Sequence, residues 1–85
     1  MRTMVSKERG SELKVALHII TKNFWEYYLE EPDKDGNAFG FVMGLENELG
    51  YVNLDEVKPY TVSATKGDGL NGIMPAEGFK WEDAR

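Results

Sequence analysis

Apolar and polar positions alternate along the first third of the chain. From Leu13 to Ile20, Leu13, Val15, Leu17 and Ile19 fall on one face, and Lys14, Ala16 and His18 on the other. A period of two is the signature of a half-buried strand. The alternation resumes from Phe24 to Glu30, with Trp25, Tyr27 and Leu29 set against Phe24, Glu26, Tyr28 and Glu30. Aromatic and β-branched residues are frequent here, as strands prefer. Leu13, Leu17, Ile20, Phe24, Tyr27 and Glu31 also recur at helical spacing behind Ser11, a capping residue type. One helix over 11–31 is the rival to two strands broken near Lys22 and Asn23; the strands are the reading adopted.

Pro32-Asp33-Lys34-Asp35-Gly36-Asn37 predicts a turn, because each of these types favours turn geometry. A strand over Phe39–Leu45 follows, with Phe39, Phe41, Met43 and Leu45 on one face and Gly40, Val42 and Gly44 on the other. Glycine inside a strand marks the close approach of a backbone or a large ring. Residues 24–45 therefore read as a hairpin. Glu46–Gly50 reads as a second reversal and Tyr51-Val52 as a short strand. Asn53 is a good N-cap, Glu56 stands three residues on, and Pro59 ends the short helix near 54–58. Tyr60–Thr65 predicts a last strand. Residues 66–85 read as glycine-rich loop anchored by Phe79 and Trp81. The fold class expected is α+β: an antiparallel sheet of four to five strands with one short helix.

With 85 residues the chain is one small domain, 1–85. It has no Cys and one His, which excludes a disulfide framework, a thiolate zinc site and a multi-histidine metal site within one subunit. No cofactor, metal or catalytic residue is expected. The net charge of −5 opposes bulk binding to nucleic acid or anionic membrane. Met1–Gly10 is charged and carries no signal-peptide core, and no apolar run can span a bilayer, so a cytoplasmic location is expected. The charge is uneven: residues 1–22 sum to +3 and residues 23–85 to −8. Residues 1–12 are expected to form a flexible basic arm. Glu26, Glu30, Glu31, Asp33 and Asp35 crowd the acidic body.

Several motifs fail on their context. Gly67-Asp68-Gly69-Leu70-Asn71-Gly72 spells G-x-G-x-x-G, but Ile73-Met74-Pro75 follows where a dinucleotide site needs a helix. Asp33-x-Asp35-Gly36 resembles a calcium loop, but position six is not Gly and position twelve is Gly44, not Glu. His18 sits among apolar neighbours, and Ser6, Ser11 and Ser63 lie in no nucleophile-elbow context. Glu46 and Glu48, on a surface reversal, should both be solvated rather than tuned for acid–base work. Phe24, Trp25, Tyr27, Tyr28, Phe39, Phe41 and Tyr51 read as core and cross-strand pairs. The other role for such aromatics is a binding surface, and the glutamates beside them repel phosphate.

Residues 25–57 carry a longer pattern. Trp25-x-Tyr27-Tyr28-x-x-Glu31 precedes Phe39-Gly40-Phe41-Val42-x-Gly44-Leu45-Glu46-x-Glu48-Leu49-Gly50-Tyr51-Val52-x-Leu54-x-Glu56-Val57. This pattern resembles the domain-of-unknown-function 2958 family, with Tyr27 where that family usually has Trp. The motif positions are Trp25, Tyr27, Tyr28, Gly44, Glu46, Glu48, Leu49, Gly50 and Tyr51. The resemblance implies a short protein of a phage or plasmid with no established enzymatic activity. It also implies a relative associated with inhibition of a CRISPR–Cas nuclease.

The function expected is a non-enzymatic protein-binding module of a mobile element, an anti-defence inhibitor. Glu26, Glu30, Glu31, Asp33, Asp35, Glu46 and Glu48 would meet a basic surface on a host protein such as a defence nuclease. The alternative is nucleic-acid binding through Arg2, Lys7, Arg9, Lys14 and Lys22 with the sheet aromatics. Uncovered sheet edges would let two copies pair as a homodimer.

Overall fold

The alternating runs become strands. The computed structural model describes residues 2–8 and 10–83. In chain order the elements are β1 (Arg2–Ser6), β2 (Glu12–Val15), β3 (Leu17–Thr21), β4 (Glu26–Leu29), β5 (Asn37–Met43) and β6 (Asn47–Asn53), followed by α1 (Leu54–Val57), β7 (Thr61–Lys66) and β8 (Phe79–Asp83). A 3₁₀ turn, Lys58–Tyr60, follows α1, and another, Gly67–Gly72, precedes β8. The strands form two antiparallel sheets, β2-β1-β8 and β6-β5-β4-β3-β7. The class is α+β, mainly sheet.

The run read as one strand over Leu13–Ile20 serves both sheets. It changes partner at Ala16, whose N–H donates to Leu29 O at 2.8 Å, so the break leaves that donor satisfied. The smaller sheet then packs over one face of the larger. Met4, Leu13, Val15 and Phe79 meet Tyr28 and Phe41 there, and Leu70 and Ala76 complete the layer. On the opposite face Ile19, Leu29 and Ala38 pack under Val57 of α1. The Asn53 side chain caps α1 by accepting from Asp55 N–H at 3.0 Å.

Gly40 and Gly44 answer to the close contacts their spacing implied. A Cβ at Gly40 would lie 2.8 Å from Leu29 Cδ2 and closer still to the Tyr28 carbonyl. A Cβ at Gly44 would lie 2.8 Å from the Trp25 ring. The 32–37 turn is tied by Asp33 Oδ1, which accepts from Asp35 N–H and Asn37 N–H, both at 2.9 Å. Gly36 there takes φ 85.

Three expectations are corrected. Of the expected flexible arm over 1–12, the described residues, 2–8 and 10–12, are held in the fold instead. Arg2–Ser6 is the central strand of the smaller sheet, because Met4 is fully buried between Leu13 and Trp81. Arg9 lies outside the described residues. The second reversal is Gly44–Glu46, and β6 already begins at Asn47, so Glu48, Leu49 and Gly50 lie on a strand. The Phe79 and Trp81 anchors belong to β8, so part of 66–85 is sheet rather than loop.

Truncating a fully buried core side chain costs about 2–5 kcal/mol. Met4→Ala should therefore lower unfolding stability by that amount in a urea titration. A flexible arm would give no change.

Candidate functional site

The face of the larger sheet that bears α1 is only partly covered. Ile19, Tyr27, Val42 and Glu48 form one cross-strand row on it, and Leu17, Leu29, Gly40 and Gly50 form the next. Beyond the cover of α1 lies an open groove of about 430 Å³. Tyr27, Val42, Gly50 and Val52 make its floor. Thr21, Asn23 and Trp25 from the β3–β4 turn form one wall. Glu56, Val57 and Tyr60 form the other, and Glu48 and Tyr51 come from the edge strand β6.

Local sequence explains why the groove stays open. A Cβ at Gly50 would meet nothing within 4 Å, so this position leaves the floor empty where a larger residue would fill it. Gly44 lets the Trp25 ring lie directly on the backbone of the β5–β6 hairpin. The turn that delivers Trp25 is tight. Thr21 N–H donates to Trp25 O at 3.0 Å and Phe24 N–H to Thr21 O at 2.9 Å. Such a three-residue turn ends on a left-handed residue, normally Gly or Asn. Phe24 holds that position at φ 64, and the residue is 87% exposed.

The groove is acidic as well as aromatic. No Lys, Arg or His is among the described residues that line it. The carboxylates of Glu48 and Glu56 have no hydrogen-bond or ion-pair partner among the described residues. Desolvation raises the Tyr27 phenol above its usual value, so it stays a neutral donor.

The other carboxylates expected to form the binding surface are dispersed. Glu26 is turned to the opposite face, where Oε1 accepts from His18 Nε2 at 2.9 Å and from Tyr28 Oη at 3.2 Å. Tyr28 Oη also lies 3.2 Å from Met74 O, a second acceptor for its proton. The His18 and Tyr28 rings are 4.7 Å apart, both about 2% exposed. Burial first, then the Glu26 charge and hydrogen bond, push the Tyr28 phenol far up. Glu30 accepts from Lys14 N–H at 3.0 Å. Asp33 ties its own turn, and Glu31, Asp35 and Glu46 stand in solvent. Among the described residues no three His, Asp or Glu converge as metal ligands. Of the motif positions, Trp25, Tyr27, Gly44, Glu48, Gly50 and Tyr51 build or border the groove, whereas Tyr28 is buried on the other face. Leu49 is half-exposed beside Phe41 and Phe79. The Tyr51 ring stands edge-on to Phe39 at 5.2 Å. Asn23, Glu56 and Tyr60 were missed. Glu56 signalled a helix start and a position in the 25–57 pattern, neither of which assigns it a place beside Glu48.

The basic positions fare no better as a surface. Arg2 stacks over the Trp81 ring at 4.4 Å and donates to Leu70 O at 3.2 Å. Lys7, Lys14 and Lys22 are exposed on different elements. No helix among the described residues is long and apolar enough to cross a membrane.

Gly44→Ala should shift the Trp25 indole N–H resonance while leaving that of Trp81 in place, because only the Trp25 ring must move. The Asp33 carboxyl is held below its ordinary range, chiefly by the Asn37 N–H. Its folded value is thus below its unfolded one, so its contribution is present at neutral pH and lost on acidification below about pH 4. Asp33→Asn keeps the acceptor but not the titration, and should flatten the acid limb of the Tm–pH profile. Comparison with known proteins adds no further constraint: no family model, curated protein or solved structure matches the chain.

Proposed function

We propose that this chain is a non-enzymatic protein-binding module that receives a basic segment of its partner in the aromatic groove. The observation that carries this is the pair of carboxylates, Glu48 and Glu56, without a partner among the described residues and set in an aromatic groove whose floor is left open at Gly50. Aromatic side chains supply large contact area with little entropy to lose, which is why they dominate protein interfaces. Unpaired carboxylates add a preference of sign. The exposed carboxylates Glu31, Asp35 and Glu46 lie outside the groove and would act at long range, raising the encounter rate.

The finer proposal is that the partner is a host defence nuclease and the module its inhibitor. Its support is the resemblance of residues 25–57 to the domain-of-unknown-function 2958 family, together with the −8 carried by residues 23–85. A nuclease that holds nucleic acid offers the basic surface such a groove would meet.

The test is capture of the partner from a host lysate, followed by titration of the purified pair. Gly50→Leu should abolish binding, because a Cβ there meets nothing within 4 Å and the side chain it carries would occupy the groove floor. Neutralising Glu31, Asp35 and Glu46 should slow association and flatten its salt dependence, with dissociation unchanged. A captured partner that binds Gly50→Leu as it binds the parent chain would sink the groove as the docking site.

A further inference from the structure

We propose that the groove is a receptor for one arginine side chain displayed on an exposed segment of the partner protein. This rests on the protein-binding reading above and specifies the chemistry it recognises. Both walls carry an aromatic ring. The Trp25 wall offers an aromatic ring, fixed by its contact with Gly44. Tyr27 in the floor and Tyr60 on the facing wall add two more. A cation is attracted to such ring faces, and a planar guanidinium can also stack on them. Glu48 and Glu56 supply the counter-charge from two separate elements, β6 and α1, that line the same groove.

Guanidinium fits this lining better than ammonium. It is more weakly hydrated, so it loses less on leaving water for an aromatic groove. Its several N–H donors spread around a plane can reach two carboxylates from one position, whereas an ammonium acts as a point charge. The described residues include a comparable contact within the protein itself. Arg2 lies over the Trp81 ring at 4.4 Å while donating to a carbonyl oxygen. In the groove the rings and acceptors are present with no Lys, Arg or His among the described lining residues. A phosphate-bearing ligand is disfavoured by the same carboxylates.

The probe is the blocked tripeptide acetyl-Gly-Arg-Gly-amide, titrated into isotope-labelled protein and followed by two-dimensional NMR. Matched tripeptides carry Lys or citrulline, the second being a near-isosteric neutral analogue of arginine. Arginine should give saturable shifts at the Trp25 indole N–H and the Gly50 amide. Citrulline should bind about tenfold more weakly or less. Gly50→Leu, and separately the pair Glu48→Gln with Glu56→Gln, should remove the response while each spectrum stays dispersed as a folded chain. Equal binding of citrulline and arginine overturns the proposal. So does a response unchanged by both variants, or the same groove shifts raised by a short oligothymidylate. If the arginine probe fails while Gly50→Leu still abolishes binding of the captured partner, the arginine assignment falls and the docking groove stands. If Gly50→Leu leaves partner binding intact, the groove itself is the wrong surface.

Discussion

The change of partner at Ala16 is the constraint on which the rest of the structure depends. Glu12–Val15 and Leu17–Thr21 are nearly one extended run, yet the first half pairs with β1 and the second with β4 and β7. The two sheets therefore cannot drift apart without breaking this shared strand. The smaller sheet is held over one face of the larger, and that face becomes core. What remains is the opposite face, and α1 with its following turn is too short to cover it. The groove is the uncovered remainder.

Between the sheets, burial forces polar groups to find partners. His18 and Tyr28 are almost fully enclosed and would be costly there alone. Glu26 accepts from both, and Met74 O gives the Tyr28 hydroxyl a second acceptor. Trp81 Nε1 donates to Ile73 O at 2.7 Å close by. The Tyr28 bond ties the loop before β8 to the larger sheet and the Trp81 bond ties it to the smaller one. A satisfied network of this kind fixes one arrangement of the two layers, since a slip would leave several buried groups unpaired at once. It also explains why Glu26 serves the interior rather than the surface.

On the open face the determinants are absences of side chain. Gly44 admits the Trp25 ring, and Gly50 leaves the floor empty. Phe24 runs the other way. A bulky residue in the left-handed region costs roughly 1 kcal/mol or more against glycine, and here the ring gains no burial in return. The tight turn it completes sets Asn23 and Trp25 as the wall facing α1 and Tyr60. Strain of this sort is found where a loop must present its neighbours in one geometry.

The sequence by itself determined the alternating runs that become β2 to β5 and β7, the hairpin at Asp33–Asn37, the Asn53 cap and the close contacts at Gly40 and Gly44. Each of these rests on interactions within a few residues or on the two-residue period of a strand, so local pattern carries them. It also determined the sign of the body's charge. Tertiary structure decided the two-sheet division, the burial of Met4 and the orientation of every carboxylate. Glu26 and Glu48 both stand on strands, yet one is drawn inward by His18 and Tyr28 while the other lines the groove. Glu56 joins Glu48 only because α1 folds back over the sheet, and Tyr60 joins Trp25 only across that same fold. Those pairings depend on which face the smaller sheet covers, and no period along the chain encodes it.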